Sequence, residues 1–388
     1  MLLLDPSTPL FLVWPCLVSL LASLLIVYTQ SWHGGLTVDH NHGVQKVHHS
    51  ETSRIGGLAI FVGLLVVTVG FTSTFAATSA SVSVSVSVSP QLSLVTPLPF
   101  TPQFTPLFVA MLISALPAFA AGLVEDVTRR VSPRIRLLAA MASGFLACWL
   151  TGYDLNRVDV WGVDALLAWS PIAIVFTAFA VAGVANAINI IDGLNGLASG
   201  VMIIAFIALA VIAHQAGDSA IFYIGLLSAA AVLGFFVVNF PYGKLFLGDG
   251  GAYLLGFWGA WLAVMLPMRN ESISVWAPLL VFSYPILETL FSILRRRRRQ
   301  HDSFHPDRLH LHSLLYARRF RSFTGRRPKV LQNAFASVPL WGFMLLGSVL
   351  AVTFAHSTLA LMACFVVMAV LYQLAYRYLV RFGRFLKS

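Results

Sequence analysis

Charge is what this chain has least of. Of its 388 residues only 10% are Asp, Glu, Lys or Arg, while 58% are hydrophobic and the mean hydropathy is +0.82. Soluble domains carry about 25% charged residues, so the composition excludes an ordinary soluble fold. Acids are the scarcer sign, 15 against 25 Lys and Arg. Cysteine is rare as well: Cys16, Cys148 and Cys364 lie in apolar segments without pairing motifs. That excludes a disulfide framework and a thiolate metal site and leaves them as small core residues. The first apolar run lacks a basic n-region and a clear small-residue cleavage site, so no cleavable signal peptide is expected.

What the chain has instead is long apolar runs. A bilayer-crossing helix needs roughly 20 such residues, and lipid leaves the backbone only helices or closed barrels. The runs are too long and continuous for barrel strands. The predicted class is therefore all-α, a polytopic integral membrane protein forming one membrane domain over residues 1–388. Eleven spans are predicted, beginning near Leu10, Ile55, Pro106, Ile135, Pro171, Leu197, Ala220, Ala252, Val275, Ala334 and Thr358. The period-two segment "SASVSVSVSVS" at 79–89 suits a strand or an outer loop and carries no chemistry.

Lys and Arg orient the spans. With the N-terminus periplasmic, 23 of the 25 fall on the inner side and only Arg157 and Arg269 outside, which also makes the C-terminus cytoplasmic. The net charge of +10 is then a fringe beside anionic headgroups rather than a nucleic-acid surface. The run "RRRRR" at 295–299 reads as a topology anchor, with contact to an anionic substrate as the rival. Asp154, Asp159 and Asp164 read as solvated acids of an outer loop.

The clustered polar chemistry collects in five inward segments, near 30–54, 125–136, 190–196, 239–250 and 295–333. Polar groups at span ends mark function more often than packing. Glu125 and Asp126 close the third span. Neighbours on a helix point about 100° apart, so one acid can hold a cation while the other accepts a proton, or both can balance Arg129 and Arg130. In "NAINIIDGLNGL", 186–197, Asn189 and Asp192 share a helix face. Gly193 and Gly196 then break the helix and free backbone amides for an anion. That exceeds what interhelical hydrogen bonding requires. Asp249, flanked by Gly248 and Gly250, is a hard oxygen ligand of the kind Mg²⁺ prefers, and Phe246 upstream can stack on a base or serve the core. His301, His305, His310 and His312 match no common structural zinc spacing; beside Asp307 and Arg308 they suit phosphate better. Of His33, His40, His42, His48 and His49, most read as solvated.

Five of these pieces, "SRIGGLAIF" at 53–61, "GLVEDVTRRVSPRIRLL" at 122–138, "NAINIIDGLNGLASG" at 186–200, "LFLGDGGAYLLGF" at 245–257 and "HPDRLHLHSLL" at 305–315, are collinear with family motifs. The chain resembles the polyprenyl-phosphate N-acetylhexosamine-1-phosphate transferases. Its "PDRLHLH" form is similar to the GlcNAc and O-antigen-initiating branches. The resemblance implies a UDP-N-acetylhexosamine donor, an undecaprenyl phosphate acceptor, Mg²⁺ (with Mn²⁺ able to substitute), and an active site facing the cytoplasm of a bacterial inner membrane. A homodimer is a further possible assembly.

By that resemblance Asp249 and Asn189 are the metal ligands. Phe246 and Asn195 hold the uridine. Arg54, Gly57, Arg136 and Arg308 line the substrate site. Glu125, Asp126, Asp192, His310 and His312 carry the catalytic roles. The chain departs from the pattern at Glu125 and Asn195, where the family has Asp, and at Ser313, where it has His. Two rival readings stand beside this one. A multispan transporter expects ionisable groups at mid-membrane and matching halves, whereas here the acids gather at one face. An enzyme-like binding protein could have lost activity through the Glu125 and Ser313 changes.

Overall fold

The computed structural model describes residues 8–37, 52–68, 104–298, 309–320 and 328–385. Arg308, the Ser–Val repeat, and His40, His42, His48, His49, His301 and His305 lie outside these. The described chain is helical. The helices are α1 (Thr8–Tyr28), α2 (Gln30–Thr37), α3 (Gly56–Thr68), α4 (Phe104–Thr128), α5 (Pro133–Thr151), α6 (Val163–Leu167), α7 (Ser170–Ile191), α8 (Leu197–Gln215), α9 (Ser219–Asn239) and α10 (Gly248–Arg269). They continue with α11 (Trp276–Val281), α12 (Ser283–Arg298), α13 (Leu311–Leu315), α14 (Lys329–Phe335), α15 (Val338–Thr353) and α16 (Thr358–Phe385).

Every one of the eleven predicted apolar runs contains helix among the described residues. Eight helices are long and apolar enough to cross a membrane, with α14 and α15 together making one of them. The count becomes nine if α1 and α2, bent by 84° at their junction, make one span. The bend falls where the apolar run gives way to "TQSWHGG". The run from Ile55 is short in its described part, Gly56–Thr68. The run from Val275 is broken at Phe282 into α11 and α12.

Helix α10 is the axis of the bundle and its most enclosed span. It is apolar on every side apart from its ends, as a fully surrounded helix must be. It packs against α4 and α7, and α7 packs on α5. Missing side chains let these backbones approach, which is how helices associate without a hydrophobic drive in lipid. A Cβ at Gly57 would lie 2.3 Å from the Cα of Gly251, and one at Gly122 would lie 2.6 Å from the carbonyl oxygen of Asp249. Gly57, expected in the substrate site, is thereby given a packing duty between α3 and α10.

At the end of the bundle away from "GDGG", Asp159 and Asp164 are not merely solvated, while Asp154 meets only Ser170 Oγ at 3.5 Å in an exposed contact. Asp159 pairs with Arg157 at 2.7 Å and accepts from Ser274 Oγ and the Val275 N–H. Burial opposes its charge, but these partners outweigh it and hold the carboxyl below the usual range. Asp164 accepts the Val158 N–H at 2.6 Å. Arg157 also donates to the carbonyls of Pro267, Glu271 and Ile273. Arg269 binds Asp218, the N-cap of α9, and donates to Tyr153 Oη at 3.0 Å. Both cations predicted outside are thus spent on tying loops together.

Candidate active site

Three carboxylates reach one end of α10 from three helices. Asp249 lies in the first turn of α10, Asp126 near the end of α4, and Asp192 caps the end of α7. Helix α10 has no side-chain cap of its own. Asp126 supplies one from α4: its carboxylate accepts the N–H groups of Asp249 and Gly250, each at 2.8 Å. An acid at a helix N-terminus satisfies orphan donors and meets the positive end of the dipole. Gly248, at φ +74°, makes the approach possible, since a Cβ there would sit 1.8 Å from the Arg54 carbonyl oxygen. The same approach is laced by backbone: Phe246 N–H donates to Ser53 O, Gly56 N–H to Phe246 O, and Gly57 N–H to Leu247 O. The "SRIGG" and "LFLGDGG" pieces are therefore one structure.

Around Asp249 the cations and amides close in. Asn189 Nδ2 donates to its Oδ1 at 2.7 Å, and Arg136, in the first turn of α5, pairs with its Oδ2. Arg54 lies 3.6 Å from Asp126 and 3.8 Å from Asp249. The Arg136 guanidinium stands 5.8 Å from the Tyr253 ring centroid, and the Tyr253 hydroxyl donates to Asn186 Oδ1 at 3.3 Å. The Asp192 carboxyl is pushed up to about 7 by burial and by the nearby Asp249 charge, with Arg54 opposing and Asp126 adding. Neighbouring acids of this kind disfavour each other's charged form.

The other predicted residues fall into distinct places. Glu125 is not brought into the carboxylate cluster: its Oε2 accepts the Val131 N–H at 2.7 Å, bracing the turn between α4 and α5. One step along a helix turns the side chain away from Asp126. Asn195 is buried, and its side chain donates to the Pro241 carbonyl while its backbone N–H donates to Asn333 Oδ1. Its amide nitrogen braces the turn rather than standing clear for uridine. Phe246 is half-buried beside the acid cluster.

His310 and His312 stack at 5.4 Å with rings 3° apart. His312 is buried, with its Nδ1 unpartnered. Burial pulls its pKa down to about 4, Glu288 opposing and His310 adding. It is therefore neutral near pH 7 and offers no positive charge to phosphate. Its Nε2 lies 2.6 Å from where a Gly193 Cβ would be, which sets this loop against the "DGLNG" turn. His33, in a group read as mostly solvated, hydrogen-bonds Thr37 Oγ1 at 2.7 Å and the Ile26 carbonyl.

Several functional-site residues escaped sequence reasoning. Asn239 accepts the Gly196 N–H at 2.6 Å and donates to Leu245 O, joining two polar segments. Tyr253, Asn333 and Glu288 also belong to this end of the bundle. Their signal is the same as that of Asn189: a polar group at or inside an apolar run.

An apolar cavity of about 300 Å³ opens away from the acids, walled by residues of α7, α10 and α11 such as Phe176, Val264 and Trp276. Its walls admit hydrocarbon and carry none of the site's polar groups.

Residues 108–267, which contain three of the five pieces, match the model of glycosyl transferase family 4. The chain is 28% identical to a probable undecaprenyl-phosphate N-acetylglucosaminyl 1-phosphate transferase of Bacillus subtilis, over 70% of this chain and 68% of that one. It is also 28% identical to an undecaprenyl-phosphate alpha-N-acetylglucosaminyl 1-phosphate transferase of Yersinia pestis, over 43% and 47%. A decaprenyl-phosphate N-acetylglucosaminephosphotransferase of Mycobacterium tuberculosis matches at 28% over 45% and 48%. The last two matches span about half of those relatives' lengths. Asp126, Asp192, Asp249 and Arg136 fall in the matched region, and over it the chain is similar to glycosyl transferase family 4 and to polyprenyl-phosphate N-acetylglucosaminyl 1-phosphate transferases.

Proposed function

We propose that this protein transfers a sugar 1-phosphate from a UDP-N-acetylhexosamine, GlcNAc or a related amino sugar, to undecaprenyl phosphate. The products are the undecaprenyl-diphosphate sugar and UMP, and the step initiates a lipid-linked surface glycan such as O-antigen. The site faces the cytoplasm of a bacterial inner membrane, as the distribution of Lys and Arg supports. The observation that carries the reading is the convergence of Asp126, Asp192 and Asp249 with Arg54 and Arg136 at one end of a membrane bundle.

The reaction needs little covalent help. A lipid phosphate oxygen forms a bond to the β-phosphorus of the donor, and the bond from that phosphorus to the oxygen bridging to the α-phosphate breaks. UMP leaves with that oxygen. Phosphoryl transfer of this kind is catalysed by alignment and charge neutralisation. Arg54 and Arg136 are the cations placed to neutralise the diphosphate. A phosphate monoester is already largely ionised near neutral pH, so alignment outweighs a dedicated base.

The donor set fits Mg²⁺: carboxylate and amide oxygens with no soft ligand among them. Asp249 and Asp192 would hold it, with Asn189 once its amide turns to present oxygen. When bound, the ion supplies Lewis-acid neutralisation of the diphosphate. Release of Asp249 from Arg136 then leaves that guanidinium for the substrate.

Purified protein incubated with UDP-GlcNAc, undecaprenyl phosphate and Mg²⁺ should yield UMP and an organic-extractable sugar. UDP in place of UMP would mean transfer of the sugar without its phosphate, and the reading would fall.

A further inference from the structure

Glu288 is a fully buried carboxylate in "SYPILETLFSIL", a segment that is otherwise nearly apolar. Burying a lone carboxylate costs several kcal/mol unless it is paired, and packing does not require an acid here. Both of its oxygens meet the 310–311 loop, and Tyr372 of α16 stands beside it. Oε1 lies 2.9 Å from His310 Nδ1, and Oε2 accepts the Leu311 N–H at 3.0 Å. His310 stacks flat on His312, and His312 abuts Gly193, the neighbour of Asp192. An ionised carboxylate only accepts, so His310 carries its proton on Nδ1 toward Glu288. Nε2 is left as the ring atom open to a ligand. The buried acid therefore sets which nitrogen of His310 meets substrate and where the loop stands.

We infer that Glu288 is a positioning residue for the transfer reaction: it fixes the tautomer and place of His310 and, through the His310–His312 stack, holds residues 310–312 against the Gly193 turn. It touches no reacting atom and acts through His310. The inference rests on the proposed function in that His310 is taken to serve the substrate. It adds a residue from α12 that no motif of the five contains.

The test uses full-length protein in detergent with two single variants, Glu288→Gln and His310→Ala, and their double. Glu288→Gln keeps the volume but puts an NH₂ donor against one of the two N–H groups that the carboxylate accepts. It should lower kcat by about tenfold, equivalent to roughly 1.4 kcal/mol, with KM for donor and acceptor within about threefold. In the His310→Ala background the same change should cost less than about twofold more, because the two residues act as one unit. A Glu288→Gln protein with wild-type kcat, or losses that multiply in the double variant, would overturn the inference. A second readout needs no turnover. ¹⁵N-histidine NMR should show His310 as the Nδ1–H tautomer in the wild type and as a mixture in Glu288→Gln. The same tautomer in both would equally overturn it. A wild type that releases no UMP brings down the functional reading instead, and the NMR comparison still decides whether Glu288 orients His310.

Discussion

Asp126 and Asp249 stand 123 residues apart in the chain, yet the carboxylate of the first accepts the backbone N–H of the second at 2.8 Å. One acid thus caps the helix that presents the other. The chemistry of Asp249 depends on an N-terminus that α4, not α10, completes.

Asp126→Ala should therefore destabilise the bundle as well as the site. Two hydrogen bonds to a charged acceptor are lost, and helix caps alone contribute about 1–2 kcal/mol. The expected outcome is a melting temperature lowered by several degrees in detergent. Asp126→Asn, which keeps one oxygen acceptor, should fall between.

Asp249→Asn should behave in the opposite sense. It leaves the α10 cap intact, because Asp249 gives its backbone rather than its side chain to the cap, and removes the charge that Arg136 and Arg54 pair with. Turnover should fall at least about a hundredfold, the size of effect seen when a charge-stabilising group is removed, with a smaller loss of melting temperature without Mg²⁺ than Asp126→Ala shows. Full activity in that variant would remove Asp249 from the metal site.

Asp192 gives a pH signature. Its folded pKa of about 7 lies above the ordinary carboxyl range. The folded state therefore binds the proton more tightly than the unfolded one. The protonated form favours folding, and stability falls as pH rises from the ordinary carboxyl value toward 7. In EDTA, Asp192→Asn should raise the melting temperature at pH 8 and change it little at pH 4. Added Mg²⁺ should stabilise the wild type and not the variant.

Glu125→Gln separates the two acids of "VEDV". The carboxylate of Glu125 holds the Val131 N–H, a bond that an amide oxygen can also accept. Turnover should stay within about threefold of wild type, measured at saturating donor. A dead enzyme would place Glu125 in the chemistry after all.

Arg157→Ala probes the opposite end of the bundle. It frees the carbonyls of Pro267, Glu271 and Ile273 and unpairs Asp159. Stability should fall by about 1–3 kcal/mol, read from thermal melts, with kcat unchanged.

Much of this is legible in the sequence. Apolar runs of span length dictate helices, and polar residues at their ends had to find partners. Asp249, Asn189, Asp192, Arg54 and Arg136 meet at one end of the bundle, where loops that share a side come together. A partner that lies within a wall of the bundle leaves no such mark on the sequence. Nothing in "VEDV" says that Asp126 caps α10 while Glu125 braces a turn; that depends on helix phase. Nothing in "RIGG" distinguishes a glycine kept for a ligand from one kept for the Gly251 backbone. Asp159 looked solvated because two of its partners, Ser274 and the Val275 N–H, lie more than a hundred residues further along the chain. The α1–α2 bend and the break at Phe282 are invisible to apolarity alone.

The most direct measurement follows the phosphorus. UDP-GlcNAc carrying ³²P only in the β-phosphate is incubated with the purified protein, undecaprenyl phosphate and Mg²⁺, and the label is located. The account predicts that the ³²P moves into the extractable lipid while unlabelled UMP is released in equal amount. Label remaining in a water-soluble nucleotide, whether unreacted donor or UDP, would contradict it.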